Sequence, residues 1–365
     1  MMKVPYRDLR VTDEHLKQEL IEAVESVLNH GHLLLGPEVN EFEDLISGYC
    51  HRKYAVGVGT GTEAIYLALR ALGIGVGDDV ITTPMSWIAT VNAIVLAGAN
   101  PVFVDIQDDL NINANLVRDA ITSRTKAIMP VHFTGRMCNM HSIMSIANEF
   151  DLFVIEDAAQ SFGARLNGKP AGSFGNIGCF SMNTMKLFSS YGEAGALVFD
   201  DSQLYETLLS LRYQGTVERE NCHETSLNAR IDTIQAAMML CSYRHLEKKI
   251  ESFRCHAARY NLALGDCVTC PPEDNSYQTY YTYTIKTPKR DDLLKYLIEH
   301  GIEAKIYHPI LMPYHNAYKN RFIDLNIPVA EKLVKEILSI PNHDQLTETQ
   351  IDYVISVIQK FFKKY

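Results

Sequence analysis

Leu16, Leu20, Ile21, Val24 and Val27 recur near the helical period, which predicts an amphipathic helix over 13–30. Asp13 is placed to cap its start and Gly31 to stop it. From residue 54 the pattern changes to short apolar runs alternating with helical stretches. The runs at 54–58, 79–82, 101–105, 127–131 and 152–155 read as strands. The stretches at 62–72, 87–97, 115–121 and 140–150 read as helices. Strands that alternate with helices imply a largely parallel sheet covered on both faces.

The second half is less regular. Residues 172–190 are dense in Gly, Ser and short apolar runs, predicting strands and turns, and 196–199 adds a strand before a helix at 204–213. Ile234, Ala237, Met238, Cys241 and Leu246 keep helical spacing, so a long helix, with room for a break, is predicted over 231–263. After Pro271-Pro272, residues 277–285 interleave aromatic and polar positions like a half-exposed strand. Helices are predicted at 293–300, 329–340 and 351–362. The pattern predicts a large α/β domain over 1–249 and a smaller α+β domain over 250–365, with the N-terminal helix packed on the smaller one.

A chain of 365 residues with 47% hydrophobic and 21% charged residues is ordinary globular material able to bury a core. Lys plus Arg number 34 against 44 Asp plus Glu, a net charge of −10, which argues against nucleic acid as a partner. An anionic small ligand stays open, because a few donors at one helix N-terminus suffice to bind phosphate. The N-terminal residues are polar, and the most apolar stretch, 87–104, is broken by Thr90, Asn92, Gly98, Asn100 and Pro101. No signal segment or membrane span is read, and a cytoplasmic location is expected. Eight scattered cysteines are expected as free thiols. Cys267 and Cys270 have C-x-x-C spacing, but no second Cys or His pair follows at zinc-finger spacing, so no metal site is assigned.

Four stretches could carry chemistry. Residues 56–63, VGVGTGTE, form a glycine-rich strand-to-helix turn: a phosphate cradle with Thr60 and Thr62 hydroxyls, or simply a Thr-capped turn. Residues 163–169 match G-x-x-x-x-G-K, but Pro170 stands where Ser or Thr would bind magnesium, and Asn167-Gly168 is a hairpin-turn dipeptide. Glu156 and Asp157 stand at the carboxyl end of a buried strand, where open α/β sheets bind ligands. One of them could hold a cationic ring nitrogen or a metal, or Asp157 could cap a helix. Lys186 lies in a run of small and apolar residues; desolvation favours the neutral amine that attacks carbonyls, whereas a surface lysine only packs its stem.

In order and spacing these stretches resemble the DegT/DnrJ/StrS family of sugar aminotransferases. The resemblance runs over nearly the whole chain, through 4–9, 36–43, 61–62, 73–80, 130–135, 155–160, 228–230 and 235–237. Its most diagnostic part is Ser181, followed by Lys186 and then Gly192-Glu193. The resemblance implies a fold-type I enzyme that uses pyridoxal 5'-phosphate. Lys186 would hold the cofactor covalently and carry a proton. Asp157 would pair with the pyridine nitrogen, Trp87 would stack on the ring unless it packs in the core, and Gln160 would contact the ring hydroxyl. Gly61, Thr62 and Ser181 would bind the phosphate, and Asn228 would reach the cofactor phosphate of the neighbouring subunit in a homodimer.

The resemblance further implies amino transfer from L-glutamate to a nucleotide-linked (UDP, dTDP or GDP) keto-sugar for surface polysaccharide or glycan synthesis. Dehydrating relatives carry His at the lysine position, so Lys186 favours amino transfer. A dehydratase, a transaminase of a non-nucleotide substrate and a catalytically silent regulator are the competing readings. Two positions depart from the pattern: Ala194, where Gly is frequent, and Met182, where Phe is common. On the substrate side, His308 and Arg230 are candidate contacts, each with a structural alternative: a buried hydrogen-bonded imidazole and an ion pair.

Overall fold

The computed structural model describes residues 2–217, 220–274, 276–322 and 325–364. The first long helix, Glu14–His30, starts where Asp13 accepts hydrogen bonds from the His15 and Leu16 amides. It ends at Gly31, whose φ of 73° is the left-handed value that glycine adopts without strain. This helix lies along Thr233–Tyr243 in the larger unit, not on the smaller one. It is the preceding segment that docks on the smaller unit, where Val4 bridges to Ile302.

Seven strands form the central sheet: β1 Tyr54–Val58, β2 Asp79–Thr82, β3 Asn100–Phe103, β4 Thr125–Met129, β5 Phe153–Asp157, β6 Ile177–Ser181 and β7 Gly195–Phe199. Their spatial order is β1-β7-β6-β5-β4-β2-β3. Pairing is parallel from β3 through β6, while β7 runs antiparallel to both β6 and β1. The strands are buried along most of their length, because helices cover both faces and leave two apolar cores on opposite sides. Helix Gly61–Ala71 follows β1 and helix Ala89–Leu96 follows β2, so both start at the carboxyl edge of the parallel strands.

The smaller unit is built on an antiparallel pair, Tyr283–Lys286 with Ile337–Ile340, under helices Arg290–Glu299 and Glu348–Lys364. Helix Leu246–Leu264 joins the two units: Leu246, Ile250 and Phe253 enter a core of the large sheet, while Ala257, Tyr260 and Leu264 enter the core of the small one. The long helix expected over 231–263 is two helices, Thr233–Tyr243 and Leu246–Leu264, broken at Arg244-His245.

Two further expectations fail. Residues 329–340 are not one helix: Pro328–Leu333 is helical, but Ile337–Ile340 is a fully buried strand, because pairing with Tyr283–Lys286 overrides the helical spacing. Residues 277–282 are irregular, and the strand begins only at Tyr283. Asn167 and Gly168, both at positive φ, form the turn between short strands Arg165–Leu166 and Lys169–Pro170, so the nucleotide-loop look-alike is a hairpin. Cys267 and Cys270 are free thiols at the edge of the small core. Among the described residues no helix is long and apolar enough to cross a membrane.

Candidate active site

A cavity of about 460 Å³ opens at the carboxyl edge of the parallel strands. Its walls bring together Gly61, Thr62, Trp87, Asp157, Gln160, Ser181, Lys186 and His308, which are far apart in sequence. Thr90, Asn183, Glu193, Tyr281 and Tyr307 are also among its lining residues.

At one end, helix Gly61–Ala71 begins with Thr60 as N-cap, its hydroxyl accepting the Glu63 amide at 3.0 Å. The Gly61 and Thr62 amides precede the first intrahelical bond and face the cavity mouth with the positive end of the helix dipole. The helix start is wedged against the adjoining ends of β6 and β7. A Cβ on Gly61 would lie 2.5 Å from the Ser181 Cβ, and one on Gly195 would lie 2.5 Å from the Thr60 carbonyl oxygen. Both glycines are therefore demanded by close approach, which sets the Ser181 hydroxyl beside the two amides.

The paired carboxylates separate by strand alternation. Glu156 points away from the cavity and is fully buried, accepting from the His132 imidazole at 3.0 Å and from the Gly172, Phe174 and Gly175 amides. The His132 Nδ1 accepts the Cys138 amide, which assigns the imidazole proton to Nε2. Burial alone would raise the Glu156 carboxyl, but the His132 contact and the backbone donors outweigh it and hold it below its usual range. Asp157 faces the cavity. Its Oδ2 accepts from the Thr90 hydroxyl at 2.8 Å and its Oδ1 from the Ala159 amide at 3.2 Å. No Lys, Arg or His within the described residues forms an ion pair with it, and burial pushes its carboxyl up despite Thr90, Ala159 and the Lys186 charge.

Lys186 lies in a turn after β6 that is tied down by Met182: its amide bonds the Ala194 carbonyl, and its own carbonyl takes the Ser190 amide and hydroxyl. Leu187 and Phe188 are buried in the core on one side of this turn. The Lys186 amine projects into the cavity, 5.0 Å from the centre of the Tyr281 ring.

Trp87 is not a core residue: it is 58% exposed on the cavity wall, with its ring 5.3 Å from that of His308. Gln160 is buried, and its Oε1 accepts the Thr134 amide at 3.0 Å. His308 is buried too, with an unpartnered Nε2. Burial, then the nearby Lys186 and His315 charges, push its imidazole down to about 4, so it is neutral at physiological pH.

Asn228 and Arg230 stand outside this cavity. The Arg230 Nε donates to the Asn228 Oδ1 at 2.8 Å, and the guanidinium lies 4.4 Å from the centre of the Tyr213 ring. Thr90 and Tyr281 were missed in the sequence. Thr90 had a usable signal, since Ser86 and Thr90 are four residues apart across the start of an apolar helix. Tyr281 had none, because its place depends on the irregular segment before Tyr283.

The arrangement suits a flat, phosphorylated cationic heterocycle. A buried carboxylate without a cationic partner stands at one end, free amides and a serine at the other, an aromatic face beside them and an amine in reach. Pyridoxal phosphate has those groups in that order, and the residues present fit it.

Comparison with known proteins agrees. The chain is 38% identical over the full length of both chains to a pleiotropic regulatory protein of Geobacillus stearothermophilus. It is 32% identical to UDP-2-acetamido-2-deoxy-3-oxo-D-glucuronate aminotransferase of Pseudomonas aeruginosa, covering 97% of this chain and 99% of that one. The structure of S. venezuelae DesV in complex with a ketimine intermediate superposes with a TM-score of 0.97 at 33% identity, over the whole of both chains. The profile of the DegT/DnrJ/EryC1/StrS aminotransferase family matches residues 14–359, and the chain belongs to that pyridoxal phosphate-dependent family.

Proposed function

We propose that this protein moves an amino group from L-glutamate to a nucleotide-linked keto-sugar, as a cytoplasmic homodimer in surface polysaccharide or glycan synthesis. The observation that carries this reading is the meeting of Lys186, Asp157 and the Gly61–Thr62–Ser181 cradle in one cavity. Pyridoxal phosphate, when bound, supplies an electron-withdrawing ring that stabilises negative charge developing at the substrate carbon.

The residues divide the work. The Gly61 and Thr62 amides and the Ser181 hydroxyl receive the phosphate. Asp157, kept ionised by a ring nitrogen placed against it, keeps that nitrogen protonated in return; its own burial makes the pairing strong. Trp87 covers the ring and Gln160 meets its hydroxyl. The Lys186 Nζ would hold the cofactor between turnovers and would carry the proton between the substrate carbon and the cofactor carbon. His308, neutral and with an unpartnered Nε2, offers a hydrogen bond to the sugar.

The dimer supports two features that one chain leaves unexplained. Asn228 and Arg230 lie outside the chain's own cavity, where they are available to a neighbour's. Leu28, Leu33 and Leu34 are 62%, 49% and 44% exposed, an apolar surface suited to a second copy.

Incubation with L-glutamate should convert the bound cofactor to its amine form with release of 2-oxoglutarate, and a panel of UDP-, dTDP- and GDP-linked keto-sugars should then identify the acceptor. Absence of the glutamate half-reaction would overturn the reading. The name of the Geobacillus relative favours a second reading, a regulator that retains the fold. That reading predicts no visible absorption to lose on Lys186→Ala, whereas catalysis predicts its loss together with all amino transfer.

A further inference from the structure

A second cavity, of about 320 Å³, lies on the other side of the lysine turn and shares Met185 and Lys186 with the first. Its far wall comes from the N-terminal segment, helix Leu246–Leu264 and the segment after strand Ile337–Ile340. The charges on this wall are Arg7, Arg10 and Lys249 against Asp8, Asp13 and Asp344.

Most of these charges are already engaged. Arg10 forms a bidentate pair with Asp8, and the Asp13 carboxylate caps the first helix. Arg7 is held by the Asn342 and Tyr281 carbonyls and by the Phe253 ring, partners that fix its guanidinium without neutralising it; its Nε is buried and unpartnered. Lys249 is half-buried, and among the described residues no carboxylate lies within ion-pair distance of its ammonium. Asp344 is near enough only for a longer-range attraction, and burial, the larger effect, pulls the Lys249 amine below its ordinary range. Two cations with no carboxylate bonded to them thus face one acid, across a cavity that opens on the reactive lysine.

We propose that Lys249, backed by Arg7, forms an anion subsite that takes a carboxylate of the amino donor while the donor's nitrogen is at Lys186. This deepens the amino-transfer reading and rests on it for the identity of the donor. A charged subsite here gives a reason for the position of the ammonium: a dicarboxylate supplies the counter-charge that the chain leaves out. The Ser189 hydroxyl, on the lysine-turn side of the same cavity, gives the carboxylate a further donor.

The test uses the cofactor-loaded protein and glutarate, which has both carboxylates of glutamate but no amino group to react. Calorimetric titration should show glutarate binding, weakened at least about tenfold by Lys249→Gln and regained in Lys249→Arg, with UDP binding and melting temperature unchanged. In single turnovers with glutamate, Lys249→Gln should raise the half-saturating concentration by a similar factor, with the saturating rate altered less than about threefold. Equal glutarate binding by wild type and Lys249→Gln, or a loss of UDP binding instead, would overturn the subsite. Failure of the amino-transfer reading looks different: glutarate still binds through Lys249, but no amino acid donates its nitrogen.

Discussion

The Thr90 hydroxyl donates to the Asp157 Oδ2 at 2.8 Å, and Ser86 lies 3.1 Å from the same hydroxyl, so a short chain of side chains on one helix start steers the carboxylate into the cavity. A hydrogen bond to a charged group in a low-dielectric site is worth about 1.5–3 kcal/mol. Thr90→Val keeps the shape and removes the donor. It should raise the dissociation constant of the cofactor by about ten- to a hundredfold and lift the Asp157 pKa further. Titration of the apoprotein with pyridoxal phosphate, followed by absorbance, measures the first effect.

Glu156 and Asp157 are neighbours with opposite duties. Glu156→Ala strands His132 and three backbone amides in the interior, and breaking such a buried pair costs about 3–5 kcal/mol. The expected result is a large fall in unfolding free energy, read by chemical denaturation. Asp157→Asn should leave folding nearly intact but slow amino transfer at least about a hundredfold, because the charge against the ring nitrogen is lost.

Gly61→Ala tests the cradle. The added Cβ would lie 2.5 Å from the Ser181 Cβ and 2.9 Å from its Cα, and a strand backbone gives way little. Overpacking of this kind costs about 1–3 kcal/mol. The variant should melt at a lower temperature and bind the cofactor weakly; normal affinity would show that the close approach is not needed.

Acid should destabilise the fold in a defined window. The His308 and His343 imidazoles are both pushed down to about 4, chiefly by burial, against an ordinary value of 6.5. Between those values the unfolded chain binds protons that the folded chain does not. Stability is therefore complete above about pH 6.5 and falls as pH drops to about 4, by at most about 1.4 kcal/mol per pH unit for each histidine. His343→Gln should flatten that acid limb, measured as unfolding free energy against pH.

Much of this protein is written in local pattern. The capped first helix, the alternation of strand and helix from Tyr54 to Asp157, and the order of Gly61, Asp157, Ser181 and Lys186 all follow from spacing that neighbouring residues impose on one another. Family resemblance turned that order into an expected chemistry. What local pattern could not decide was whatever depends on a partner distant in the chain. Ile337–Ile340 carries helical spacing yet is a strand, because Tyr283–Lys286 offers it a ladder. Local pattern left Glu156 and Asp157 equivalent, and only the family resemblance named Asp157; the folded strand separates them on two faces, one toward His132 and one toward Thr90. Lys249 looked like any lysine of an amphipathic helix; only the fold, by withholding a bonded carboxylate and placing it across a cavity from Lys186, made it a candidate for function.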